Sequence, residues 1–545
     1  MSVTRRQFAA LASAALGGCS AMPEWLAGSS KRFDPTWDSL SANYRAPEWF
    51  RDAKLGLWAH WSAQCVPEQG DWYARKMYIQ GERAYEHHLR SYGHPSQTGF
   101  MEIDNLWKAE RWEPEALMRR YVAAGAKYFV ALANHHDNFD NFNSRHHAWN
   151  SVNIGPKKDI IGTWARLARS HGLKFGVTNH SAHSWHWFQP AYGYDAEGPM
   201  AGRRYDAFHL KRSDGVGKWW EGLDPQELYC GPSMVVPDGI TSAAEMRAWH
   251  EAHDRVWTEA APVQNPEFVR RWTLRCLDLM DSYNPDLVYF DNFDLPLGQA
   301  GLDVTAHYYN TNMARNGGRL ECVVNAKNIP DQRRGALVED VERGFRTDIM
   351  PTPWQTDTCI GDWHYDRSIY EEHRYKTVTW VVHALCDIVS KNGNLLLNIP
   401  VRGDGSIDSD EEKFLDGLGA WMAVNGEAIF ATRPWRTFGE GPSRAPGGMF
   451  NEDKQQFTGA DVRFTQKNGV LYALMLGWPN GGRAQIEALA DGAQYAHGTI
   501  EQVELLGSQG ALAFQRDASG LQVTLPESRN GDMAYALKIN GQGLV

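Results

Sequence analysis

The chain has 545 residues, of which 43% are apolar and 22% charged, and its formal net charge is −11. That length exceeds one ordinary domain and predicts a large domain joined to a smaller one. The acidic balance argues against a nucleic-acid binder, and against an anionic membrane surface as the main partner.

The N-terminal stretch "TRRQFAALASAALGGCS" pairs Arg5 and Arg6 with Phe8, then runs through small apolar residues to Cys19. It reads as an export signal of the twin-arginine type, too short to span a bilayer. "LGGC" resembles a lipoprotein cleavage box, with Cys19 as the lipidated residue. Residues 1–31 are therefore assigned to signal and linker, and the protein is expected to be exported, either periplasmic or lipid-anchored to a bacterial envelope.

From residue 32 onward, short apolar runs each close on polar residues. In chain order they are "KLGLWAHW", "AKYFVALANHHD", "LKFGVTNHSAH", "DLVYFDN", "LECVVNAKN", "ALVEDVERG" and "NLLLNIP". Helical patterns precede several of them, with Gly125 and Gly172 placed as C-terminal caps and Pro266 at a first-turn position. Alternating helices and apolar strands predict an α/β fold with a parallel sheet. Polar residues at each strand's C-terminal end point to a (β/α)8 TIM-type barrel over residues 32–432. Residues 190–265 form a long insertion rich in Gly, Trp and Pro. From 433 to 545 short alternating strands predict an antiparallel β-sandwich, with "KNG" at Lys467–Gly469 as a hairpin turn. The six cysteines after the signal are scattered with no C-x-x-C pair, which fits buried thiols.

Three chemistries can be built from the strand ends. A pair of carboxylates would suit glycoside hydrolysis: Asp291 on one strand, with Glu342 or Glu339 two strand-like segments later. A metal site could draw on His135, His136, Asp137, His180, His183 and His186, but on a strand His135 and His136 would point to opposite faces. No H-E-x-x-H helix is present either, and no metal is expected on these grounds. A nucleophilic serine lacks its G-x-S-x-G turn. The 23 Trp and 21 Tyr suit sugar rings and protein cores equally.

Several long blocks, in order, resemble the α-L-fucosidases of glycoside hydrolase family 29. They are "WFRDAKLGLWAHWSAQCVPEQGDWYARKMY", "AKYFVALANHHDNFDNFNSRHHAWNSVNIGPKKDIIG", "NPDLVYFDNF", "IVSKNGNLLLNIPVRGDGSI" and "ADVRFTQKNGVLYALMLGWP". The resemblance implies a retaining exo-glycosidase acting on terminal α-L-fucosyl residues, needing no cofactor, with a fucosylated oligosaccharide or glycoconjugate as partner. It implies Asp291 as nucleophile, and His60, His135 and His136 as hydrogen-bond donors to sugar hydroxyls. Asp71 and Trp72 would line the pocket, and Tyr289 matches a position that is usually Trp. The chain departs from the pattern in several places, all expected to line the pocket, with Asn179, His180 and Tyr289 among the expected substrate-binding residues. Asp71 stands where Glu is frequent, Asn292 where Gly is common, Asn179 and His180 where an aromatic and Ser are usual, and Gln355 where Glu often follows Trp. Glu342, in "VERG", is the favoured acid/base, followed by Glu339 and Asp357. Two alternatives stand beside this expectation. One is an α-L-galactosidase or related activity on the same barrel. The other is a non-catalytic glycan-binding surface lipoprotein, whose second carboxylate would be absent or far from Asp291.

Overall fold

The computed structural model describes residues 32–529 and 531–545, so the signal and Cys19 lie outside the described residues. Eight parallel strands close a barrel in sequence order. They are β1 (Leu55–Ala59), β2 (Tyr128–Asn134), β3 (Lys174–Asn179), β4 (Leu287–Phe293), β5 (Val323–Lys327), β6 (Val338–Asp340), β7 (Trp354–Cys359) and β8 (Gly393–Asn398). Closure is made by β1 against β8, where Leu55 pairs with Leu395. The strands are almost wholly buried, as expected when helices cover one face and packed side chains fill the other. The α/β barrel expected from the apolar runs is the fold observed.

The helices begin and end on the residues the pattern suggested. Pro114–Ala123 is followed by Gly125 at φ 101°, which reverses the chain into β2. Ile160–Ser170 starts on Asp159, whose carboxylate accepts from the Gly162 amide. Pro266–Tyr283 is capped by Asn265 and ends on left-handed Asn284, which turns directly into β4. Between β5 and β6 the chain makes only the 3-10 turn Asp331–Ala336. The N-terminal helix Trp37–Asn43 packs on that turn, and Tyr44 stacks on Tyr309 at 5.0 Å.

In the insertion, buried Asp206 accepts from the hydroxyls of Tyr78 and Tyr229. Buried Asp254 pairs with Arg75 and His250, tying the insertion's helix Ala243–His253 to the barrel rim.

The C-terminal part holds β9 (Arg433–Glu440), β10 (Val462–Lys467), β11 (Val470–Met475), β12 (Arg483–Ile486), β13 (Thr499–Leu505), β14 (Phe514–Asp517), β15 (Gly520–Thr524) and β16 (Tyr535–Gln542). They form antiparallel sheets of five and three strands around Trp435, Phe464, Leu471, Leu521 and Leu537. Asn468 and Gly469, at φ 52° and 83°, close the β10–β11 hairpin, because both central positions of such a turn need positive φ. All six described cysteines are free and buried.

One buried ionic cluster joins sandwich to barrel. Asp387, on the helix Val378–Ser390, accepts from Arg463 Nε of β10 and from Lys391 Nζ, each at 2.7 Å. Both carboxylate and guanidinium are fully buried. Removing the shared anion would leave two unpaired buried cations, so Asp387→Ala should cost about 3–5 kcal/mol. Urea unfolding of both proteins checks this; a loss below about 1 kcal/mol contradicts it.

Candidate active site

The C-terminal ends of the barrel strands surround a cavity of about 450 Å³, within the ~300–1,000 Å³ range of small-ligand sites. Its lining includes Trp58, His60, Asp71, Trp72, His135, His136, His180, Asp291, Lys327, Glu342 and Asp357.

Asp291 projects from β4 where the pairing with β5 loses register between Tyr289 and Phe293. Such irregularities re-aim a side chain at a barrel rim. One carboxylate oxygen takes an ion pair from Lys327. The other lies 3.2 Å from His136 Nε2 and 3.0 Å from His180 Nδ1. Burial alone would raise its pKa, but Lys327 and the two imidazoles outweigh burial and hold it well below the usual carboxylate range. Asp291 is an anion prepared in a water-poor place. His136 is steered by its other nitrogen, which donates to the His180 carbonyl at 2.7 Å.

Glu342 follows β6 and touches the same ammonium, with Lys327 Nζ 2.5 Å from Oε2. Burial pushes its pKa up to about 7; Lys327 opposes that rise, while Asp357 and Asp291 add to it. Two carboxylates on one ammonium stand at most about two hydrogen-bond lengths apart, ~6 Å. That fits the ~5–5.5 Å separation of a retaining pair better than the ~6.5–9.5 Å of an inverting one.

The opposite wall is built from neutral donors. Burial, then the neighbouring His364 and His180, depresses the His60 pKa well below 6.5, and among the described residues neither ring nitrogen has a hydrogen-bond partner. His60 is held in place through its backbone amide, which donates to Asn398 Oδ1 at 2.9 Å. His135 is likewise neutral through burial. Gln64 Nε2 donates to its Nδ1 at 2.9 Å, which assigns the ring proton to Nε2, facing Asp71 at 4.0 Å. Burial would raise Asp71, but the 2.6 Å hydrogen bond from His364 Nδ1 brings it below its ordinary value. Trp72 adopts φ 66° to place its ring over the rim, edge-on to His136, Trp187 and Trp257.

Three sequence-based expectations need correction. Glu339 stays outside the cavity. Side chains on β6 alternate, so Asp340 faces the barrel interior while Glu339 faces outward, paired with Arg334 and Arg346. Asn179 also points outward from β3, donating to Cys276 Sγ of the helix Pro266–Tyr283 at 3.5 Å. His135 and His136 do not diverge. β2 ends at Asn134, so strand alternation no longer applies, and the two rings lie 4.5 Å apart. Among the described residues, His60, Asp71, His135 and His364, and separately His135, His136 and His180, lie close enough to hold a metal ion. Several of those nitrogens already have protein partners: both of His364, both of His136 and Nδ1 of His135.

Tyr289 is fully buried and does not itself line the cavity; it reaches the site through Asp357, whose Oδ2 accepts from its hydroxyl at 3.1 Å. Burial and then Asp340 raise the Asp357 pKa well above the usual value, which favours its neutral form. Sequence reasoning missed Arg255 and Trp257 from the insertion, Trp363 after β7, and Phe450 from the β9–β10 connection, all of which line the cavity. It also missed Glu259, which accepts from Asn292 Nδ2 at 2.5 Å and from the Phe293 amide at 2.9 Å and lies 3.1 Å from His183 Nε2. These residues sit in loops without a motif, and only long-range packing brings them in.

Residues 21–427 match the family described as Alpha-L-fucosidase, and residues 454–540 match the Alpha-L-fucosidase C-terminal domain. The tissue alpha-L-fucosidase of Homo sapiens is 25% identical, over 94% of this chain and 92% of that protein. An alpha-L-fucosidase of Branchiostoma floridae is 25% identical, over 94% and 96%. Among solved structures, a Thermotoga maritima alpha-fucosidase in complex with a mechanism-based inhibitor shares the fold at a TM-score of 0.67. It is 23% identical, over 93% of this chain and 100% of that one.

The shared ammonium lowers both acids, so Lys327→Met should raise the pKa of Asp291 and carry Glu342 above about 7. Carbon-13 NMR titration of labelled carboxyls reads this directly. An unchanged or lower Glu342 value contradicts the arrangement.

Proposed function

Because the chain belongs to the α-L-fucosidase family, we propose that it hydrolyses terminal α-L-fucosyl residues of fucosylated glycans, with Asp291 as nucleophile and Glu342 as acid/base. The carrying observation is that one ammonium, Lys327 Nζ, touches both carboxylates while their pKa values are driven apart. Pairs of acids so separated divide naturally into nucleophile and proton donor.

In the first step Asp291 forms a bond to the anomeric carbon as the bond from that carbon to the leaving oxygen breaks. The Glu342 proton passes to that oxygen. A glycosyl ester of Asp291 results, and Glu342 is now anionic. In the second step Glu342 takes a proton from water, the water oxygen bonds to the anomeric carbon, and Asp291 leaves as a carboxylate. Two inversions give net retention. His60, His135 and Asp71 offer directional hydrogen bonds to ring hydroxyls, and Trp58 and Phe293 supply apolar surface in the same cavity. A non-catalytic glycan-binding role would place the second carboxylate away from Asp291, whereas Lys327 bridges the two.

Export is part of this reading. The paired arginines and Cys19 support a periplasmic or lipid-anchored enzyme acting on external glycans. Cys19→Ala should then move the protein from the membrane fraction to the soluble fraction; unchanged fractionation removes the anchor.

Kinetics on an aryl α-L-fucoside beside a fucosylated oligosaccharide test the chemistry. Asp291→Asn should lose at least about 10³-fold in kcat on both. For wild type, kcat/KM should fall as pH rises through about 7, where Glu342 loses the proton it must donate. Glu342→Gln should abolish that alkaline limb and impair the oligosaccharide more than the aryl substrate, whose leaving group needs less protonation. Near-wild-type turnover by Asp291→Asn sinks the assignment.

A further inference from the structure

The connection between β9 and β10 belongs to the sandwich but returns to the barrel mouth and fastens to the loop that carries Glu342. The Phe450 amide donates to the Glu342 carbonyl at 3.0 Å. The Asn451 and Glu452 amides both donate to the Arg343 carbonyl at 3.0 Å, and the Gly448 amide donates to the Phe345 carbonyl at 2.9 Å. The approach is close enough that a Cβ on Gly344 would collide with the Gly448 carbonyl, which explains the glycine in "VERG". A buried carboxylate locks the strap: Glu452 accepts from Arg343 Nε at 2.6 Å, Lys376 Nζ at 2.7 Å and the Thr358 hydroxyl at 2.5 Å.

At the tip of this clamped strap, Phe450 lines the cavity with 61% of its surface exposed, more than any other Phe or Trp among the described residues. Its φ is 55°, a left-handed conformation that strains a non-glycine residue. Among the described residues no aromatic ring or cation packs on it. An apolar ring held exposed at such a cost, beside the acid/base, marks a contact made only with ligand.

We infer that Phe450 is the platform for the leaving-group sugar, stacking on the apolar face of the residue that carries the fucosyl unit. This deepens the proposed function and rests on it. The acid/base must reach the glycosidic oxygen, so the group on the far side of that oxygen lies past Glu342 toward solvent. Phe450 is tied through its amide to the Glu342 carbonyl and is the cavity's most exposed aromatic ring, so it stands beside the acid/base where the cavity meets solvent. Specificity for the aglycone is thereby carried by a residue from the C-terminal half of the chain, while fucose recognition stays within the barrel.

The test compares a fucosylated trisaccharide with α-L-fucosyl fluoride, whose leaving group has no ring to stack. In Phe450→Ala, kcat/KM should fall on the trisaccharide about fivefold to tenfold further than on the fluoride. Phe450→Tyr, which keeps the ring, should restore most of that difference. Equal losses on both substrates, no loss on either, or failure of the tyrosine variant to restore the difference overturns the assignment. Wild-type protein inert toward both substrates overturns the proposed function and this inference with it. Wild-type turnover of both with an unselective Phe450→Ala overturns this inference alone.

Discussion

The ammonium of Lys327 is the point on which the active centre depends. It leaves β5 buried, between the carboxylates of Asp291 and Glu342. A buried cation requires a nearby anion, and a buried carboxylate is kept ionised by a nearby cation. During the proposed reaction, negative charge leaves Asp291 as its ester forms and appears on Glu342 as the proton departs. The ammonium therefore faces nearly constant charge through the cycle, and little reorganisation is needed in a low-dielectric cavity. The same proximity lowers the Glu342 pKa once Asp291 is neutralised, because the part of the rise that Asp291 adds to burial and Asp357 has gone.

Around that centre the fold separates anionic from neutral recognition. Asp291 is surrounded by donors, whereas His60 and His135 are kept neutral by burial, so they can hydrogen-bond hydroxyls without adding charge. Supporting contacts orient each group: Asn398 holds the His60 backbone, Gln64 sets the His135 tautomer, and His364 fixes Asp71. Asn134 is tied to Asp140, which takes a bidentate pair from Arg275 on the helix leading into β4. The end of β2 is thereby anchored to the element that delivers the nucleophile strand.

The sandwich takes part in this arrangement. Its Arg463 shares Asp387 with the barrel, and its β9–β10 connection clamps the Glu342 loop through Glu452. The two halves are coupled through buried charges, so disturbing the sandwich would be felt at the acid/base.

Much of this was legible in the amino-acid order. Apolar runs ending in polar residues set out the barrel, and left-handed Asn468 and Gly469 close the hairpin that "KNG" implied. Asp291, His60, His135 and His136 could be singled out because each lies at or just past the C-terminal end of a strand. Glu339 and Asn179 were misplaced for a local reason. Near a strand's end, one residue of offset decides between barrel interior and helix layer. The adjacency of His135 and His136 was hidden because β2 stops one residue before them. Composition, strand order and the identity of the reacting side chains follow from sequence, since they depend on local periodicity and residue chemistry. The pairing of Lys327 with both acids, the outward turn of Glu339, and the arrival of Trp257, Glu259 and Phe450 were decided by tertiary structure alone. Most of those contacts join segments well separated in the chain, and no local pattern records which loops a closed barrel will bring together.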